Sequence, residues 1–140
     1  TAKNLEVLGQ AWWQAKNLQG ALKSFEEASK YSDTGEIQSR IASIYLDLGK
    51  DKQAYKAAQK AAKKGDIKNT STNYATMGSA LINLHCYKDA VKAFTKSVKA
   101  AKTKKAKRYP SQWIKFANAE GSRLQKLRDV GATVPGCSKA

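Results

Sequence analysis

Proline is almost missing from this 140-residue chain, which holds two, and it contains a single histidine and two cysteines. So few prolines, with abundant Ala, Lys and Leu and no alternating apolar–polar stretch, point to an all-helical chain. No apolar run approaches the roughly 20 residues that a membrane-spanning helix needs. The lone His85 stands beside Cys86, but a Cys–His dyad needs converging side chains, and sequence neighbours at a helix start usually diverge. No spacing of Cys, His and carboxylates suggests a metal site, and no glycine-rich loop could cradle a phosphate. The expectation is a non-enzyme without a cofactor. Acidic residues are also scarce: 11 Asp and Glu face 26 Lys and Arg, for a net charge of +15 at pH 7. That imbalance favours an acidic partner, whether protein, anionic lipid surface or nucleic acid. Cys86 falls in a predicted turn and Cys137 in a Gly/Pro-containing tail, and both a bridge and two free thiols stay open. Neither an initiator Met nor a signal peptide precedes Thr1, so a mature fragment with its targeting information removed is expected.

What is present is a repeated pattern. Between Met77 and Lys99, Met77, Ala80, Leu81 and Leu84 fall at helical spacing, as do Tyr87, Ala90, Val91, Phe94 and Val98 after a turn. Leu8-Gly9, Trp12, Leu18, Ala21, Phe25 and Ala28 repeat that spacing, and Ile41-Ala42, Tyr45, Gly49, Ala54, Ala58 and Ala61 give a third copy. The copies are offset by 33 and 36 residues. On the first helix, Leu5, Leu8, Ala11, Trp12 and Ala15 form the expected inward stripe. Asn17 can cap the second helix. Asp33 with Glu36 reads as a capping box for the third, and Asp66–Thr72 as a polar surface loop. Pro110 suits the first turn of a last helix over about 110–128 carrying Trp113, Ile114, Phe116, Ala117, Leu124 and Leu127.

A period near 34 with these large and small residues resembles the tetratricopeptide repeat (TPR) family over roughly residues 1–100. The resemblance implies an all-α right-handed superhelix of antiparallel helix pairs: repeats at 1–33, 34–68 and 69–102, a basic linker and capping helix at 103–130, and a flexible tail at 131–140. Three features depart from the family pattern. Ala58 replaces the usual aromatic, Asp51 the usual Tyr or Leu, and no repeat ends in Pro. In such arrays the first helix of each pair lines a concave groove. Carried over by position, the partner-contact candidates are Gln10, Trp13, Gln14, Ser39, Ser43, Leu46, Ser79, Ile82 and Asn83. Glu6, Gln10, Ser39 and Ala75 stand where chaperone-binding members carry a carboxylate clamp, which argues against that subclass. Trp13, Leu46 and Ile82, flanked by Ser, Gln and Asn, suit an extended or helical apolar segment of a partner protein or peptide. Leu46 and Ile82 can equally be ordinary packing residues.

Seven of the thirteen residues from Lys96 to Arg108 are basic, including Lys99, Lys102, Lys104, Lys105, Lys107 and Arg108. These can be a solvated face, or can dock an acidic protein segment or an anionic membrane surface. Nucleic acid ranks third, because Tyr109 is the only aromatic close to the cluster and no nucleic-acid-binding motif occurs. The stretch Gln112-Trp113-Ile114, followed by Lys115, Phe116, Glu120, Arg123 and Leu127, resembles the end of bacterial TPR proteins associated with TonB–ExbB–ExbD systems; Gly121 departs from it. That resemblance implies a periplasmic, non-catalytic accessory of transport, contacting TonB, ExbB or ExbD-type components; the alternatives are a generic TPR adaptor or chaperone-like protein in another assembly, and a cytoplasmic location.

Overall fold

The computed structural model describes residues 1–140 as seven α-helices. They are α1 (Ala2–Gln14), α2 (Leu18–Tyr31), α3 (Gly35–Asp47), α4 (Asp51–Lys64), α5 (Thr70–Asn83), α6 (Tyr87–Ala100) and α7 (Lys104–Asp129). Each helix packs on its neighbour in sequence, and α3 also meets α5. The chain is thus an all-α helical-repeat solenoid of three hairpins, with α7 laid across α6.

The turn inside each hairpin is built the same way. Lys16, Gly49 and His85 all have positive φ (66°, 75° and 61°), placing each in the left-handed region just past its helix. The following amide donates back to the carbonyl five positions earlier: Asn17 to Trp12, Lys50 to Tyr45, and Cys86 to Leu81, at 2.8–2.9 Å. This is a Schellman motif, which satisfies carbonyls the helix end would otherwise orphan. His85 therefore serves as a turn residue, at the position Gly49 fills in repeat two.

Two contiguous cores run through the array, one around Phe25 and Ile44 and the other around Leu81 and Phe94. Small residues set how closely the paired helices approach. A Cβ on Gly9 would stand 2.8 Å from the Phe25 ring, and one on Gly78 would stand 2.7 Å from the Phe94 ring. In repeat two the partners are Ala42 and Ala58, both fully buried. Ala58 leaves room for the methyl of Ala42, which explains its departure from the aromatic pattern. Asp51 has a similar account: its carboxylate accepts from Asn83 Nδ2 at 2.9 Å, tying α4 to α5 where an apolar residue would only pack.

Several sequence expectations are corrected. On α1 the core-facing residues are Leu5, Gly9 and Trp13, while Leu8 and Trp12 are 46% and 39% exposed and Ala11 and Ala15 are also exposed. Their counterparts Ile41 and Leu81 are buried because an earlier hairpin packs over them; nothing packs over α1 on that side. Asp33 does not cap α3. Thr34 does, accepting from Ile37 N at 3.2 Å. The helix α5 begins at Thr70, capped by Asn69, so the loop is shorter than expected. Helix α7 begins at Lys104, ahead of Pro110, because the Thr103 side chain caps Ala106 N at 3.0 Å and Ala101 is extended. The basic stretch from Lys104 to Arg108 is thus helical. Pro110 lies inside the helix, where its missing N–H leaves the Ala106 carbonyl without its intrahelical donor and its ring crowds that carbonyl. Gly121 departs from the resembled pattern for a packing reason: a Cβ there would come within 3.2 Å of Tyr87.

Freed from capping, Asp33 accepts from Gln38 Nε2 at 2.7 Å and pairs with Lys60 and Lys64 of α4 at 3.2 and 3.3 Å. Partial burial pushes its carboxyl up, but the hydrogen bonds from Gln38, Lys60 and Lys64 outweigh it and hold the pKa below the ordinary aspartate value. A lowered folded-state value stabilises the fold above the unfolded pKa of about 4, and this contribution is lost as pH falls through the folded value. The advantage of the wild type over Asp33→Asn should therefore shrink as pH drops below about 4, read as the urea midpoint of each across that range.

Candidate partner-binding groove

The groove is formed by α1, α3 and α5, with the start of α7 joining at one end. Several of its candidate residues are hydrogen-bonded to other residues across helices. Gln10 Oε1 accepts from Arg40 Nη1 at 2.6 Å, and Arg40 Nε donates to Glu36 at 3.0 Å. Glu36 in turn accepts the backbone amide of Lys68 at 3.1 Å, so one chain of polar contacts joins α1, α3 and the loop before α5. Ser43 lies 3.3 Å from Thr76 of α5, and Ser79 lies 3.3 Å from the Tyr109 hydroxyl of α7. Trp13 stands edge-on to Phe25, and its indole N–H donates to Asp47 of α3 at 3.1 Å.

These contacts sort the candidates. Ser39 is 7% exposed and Ile82 is 9% exposed, so both serve packing, and Ile82 belongs to the Phe94 core. The apolar stripe expected from Trp13, Leu46 and Ile82 reduces to Trp13 and Leu46, both half-buried. Gln14 and Asn83 are exposed. Trp13, Lys16, Leu18 and Asp47 line an open depression of about 430 Å³ at the α1 end of the groove. Three participants escaped the sequence reading. Arg40 and Thr76 lie outside the positions carried over, and Tyr109 precedes the expected start of the last helix; the one available signal was the helical spacing of Tyr109 with Trp113 and Phe116. Tyr109, Trp113 and Phe94 pack as one aromatic cluster with ring centroids 6.1–6.5 Å apart, which seats α7 on repeat three.

At the opposite end the tail turns back onto the third hairpin. Cys86 and Cys137 form a disulfide, which decides between the two readings of the cysteines. The amide and hydroxyl of Ser138 both donate to the Leu84 carbonyl, at 3.0 and 3.3 Å. Arg128 donates to the Pro135 carbonyl at 2.9 Å, and the Lys139 ammonium pairs with Asp89. Between tail, α6 and α7 lies a cleft of about 800 Å³ bordered by His85, Tyr87, Asn118, Gly121, Gln125 and Arg128. Burial pushes the Tyr87 phenol up, with Glu120 adding to the shift and Arg123 opposing it. No group of three or more His, Cys, Asp or Glu side chains gathers as metal ligands, and no helix is long and apolar enough to cross a membrane.

Helix-pair order, repeated Schellman turns and the small-on-large contacts of Gly9 and Gly78 define a TPR fold. The solved structures agree. The chain superposes on the yeast Sti1 TPR2B domain in complex with pHsp70 at a TM-score of 0.77 and 19% identity, covering 85% of this chain and 97% of that one. The Arabidopsis OM64 TPR domain gives 0.73 and 21%, covering 81% and 93%. The yeast Sti1 TPR2AB domain in complex with pHSP90 gives 0.69 and 20%, covering 93% and 55%. No family model matches the sequence, and no curated protein matches it either.

Proposed function

We propose that this chain is a non-catalytic scaffold that holds an extended or helical segment of a partner protein along α1, α3 and α5. The observation that carries this reading is the groove itself. Its polar side chains are already paired across helices, so little ordering cost falls on binding, and Trp13 borders an open depression beside it. The complexes of Sti1 TPR domains with pHsp70 and pHSP90 place partners on domains of this fold. Glu6, Gln10, Ser39 and Ala75 present no cationic clamp on the inner helices, and the guanidinium beside them, Arg40, is already held by Glu36. The preferred segment is therefore internal and partly apolar, not a terminal carboxylate.

The finer assignment, an accessory of a TonB–ExbB–ExbD system in the periplasm, rests on Gln112-Trp113-Ile114 and the residues after it. The Cys86–Cys137 bridge supports an oxidising compartment over a reducing one. Purified periplasmic portions of TonB and ExbD, titrated against wild type, Trp13→Ala and Gln14→Lys, test both levels. Truncating a Trp that anchors a partner should weaken binding by about thirtyfold or more. Gln14→Lys, exposed and outside the core, should weaken it without lowering the melting temperature. Binding that neither change affects removes the groove as the site, and no binding by the wild type removes the transport assignment.

A further inference from the structure

Helix α4 carries Lys52, Lys56, Lys60 and Lys63, and α6 carries Lys88, Lys92, Lys96 and Lys99, each displaced by 36 residues and all exposed. Spacings of four, four and three residues put each set on one helix face, opposite the buried Ala54, Ala58 and Ala61 in α4 and Ala90, Phe94 and Ser97 in α6. Both helices are second members of their hairpins and run the same way. Both pack on α5, which separates them. The outer surface thus presents two rows of four ammonium groups, each row about 16 Å long. The equivalent positions of α2 are Gln19, Lys23, Glu27 and Lys30, so the array belongs to the second and third hairpins.

A merely solvated helix face mixes charges of both signs. Here no carboxylate interrupts either row, and lysines three and four residues apart repel one another along both helices. Lys60 alone among the eight has a carboxylate partner, Asp33, and its side chain is still 53% exposed; Lys96 lies over the Tyr74 ring. The rows lie on either side of α5, and the extended polyanion that such spaced cations suit is the headgroup layer of an anionic bilayer. All eight groups are lysine, with no guanidinium fork to grip a phosphodiester, and neither helix exposes an aromatic ring on which a base could stack. Mobile lipid headgroups can gather under fixed point charges.

We propose that the α4–α6 lysine array docks this domain on an anionic phospholipid surface, leaving the groove of α1, α3 and α5 turned away and free for its partner. This goes beyond the scaffold reading and stands without it. Co-sedimentation with phosphatidylcholine–phosphatidylglycerol vesicles at low ionic strength tests it. Changing Lys56, Lys63, Lys92 and Lys99 to Gln should weaken partitioning several-hundred-fold, at about fivefold for each lysine. The same four positions changed to Arg should retain it. Gln at Lys3, Lys16, Lys68 and Lys126 removes equal charge away from the array and should cost far less. The array variant should melt no lower than wild type, because it removes lysine–lysine repulsion. Equal losses from both Gln sets, loss in the Arg set, no wild-type binding to the anionic vesicles, or tighter binding to duplex DNA than to vesicles would each overturn the proposal.

Discussion

Reducing the Cys86–Cys137 bridge should lower the stability of the folded chain by about 4 kcal/mol, the chain-entropy value for a closed loop of this size. The bridge spans 51 residues and encloses both α6 and α7, so its loss frees the unfolded chain far more than a short staple would. Cys86 is 3% exposed and opens α6, while Cys137 lies in the tail. Without the bridge the tail keeps the Ser138 and Arg128 hydrogen bonds and the half-exposed Lys139–Asp89 pair, and pairs open to solvent in this way contribute little. Urea midpoints with and without reductant measure the effect, and Cys137→Ser should reproduce it in oxidising buffer. Coincident midpoints would show that the tail is held by its polar contacts alone.

Gly35→Ala should cost about 3 kcal/mol or more, at the upper end of overpacking penalties. A glycine-to-alanine change in a helix ordinarily gains up to about 1 kcal/mol. Here a Cβ would fall onto the Gly65 carbonyl oxygen and within 3.0 Å of the Ala61 oxygen. Both obstacles are backbone at the C-terminal end of α4, so no side chain can rotate away, and α3 would have to lift off its partner. Gly49→Ala makes the comparison: its Cβ would meet nothing within 4 Å, and its φ of 75° carries a penalty of about 1 kcal/mol. If denaturant midpoints show Gly35→Ala to be no worse than Gly49→Ala, the close approach does not limit the spacing of α3 and α4.

The hairpins were legible because their signals are local and repeated. Gly9 with Phe25, Ala42 with Ala58 and Gly78 with Phe94 report the same contact three times, and Asn17 announces its cap directly. Misreadings arose where two local signals competed. Asp33 and Thr34 are both good capping residues, and only the position of α4's lysines shows why the carboxylate is used elsewhere. At the last helix, Pro110 and Thr103 both mark a start, and the hydroxyl cap prevails. The groove was legible in part. Position alone brought Gln10, Ser43 and Ser79 forward, but the partners Arg40, Thr76 and Tyr109 come from other helices, and no local pattern announces those pairings. Burial of Ile82 and the joining of Cys86 to Cys137 likewise depend on how distant segments meet.

The bare flank of α1 gives the solenoid a direction. Val7, Leu8 and Trp12 occupy a seam that later hairpins close, whereas the other end is sealed by α7 and bolted by sulfur. A protein engineer could graft another helical hairpin ahead of Ala2 using the contacts α2 makes with α3 as the template, changing no residue of the existing interior. Lengthening at the far end would first require unbolting the tail.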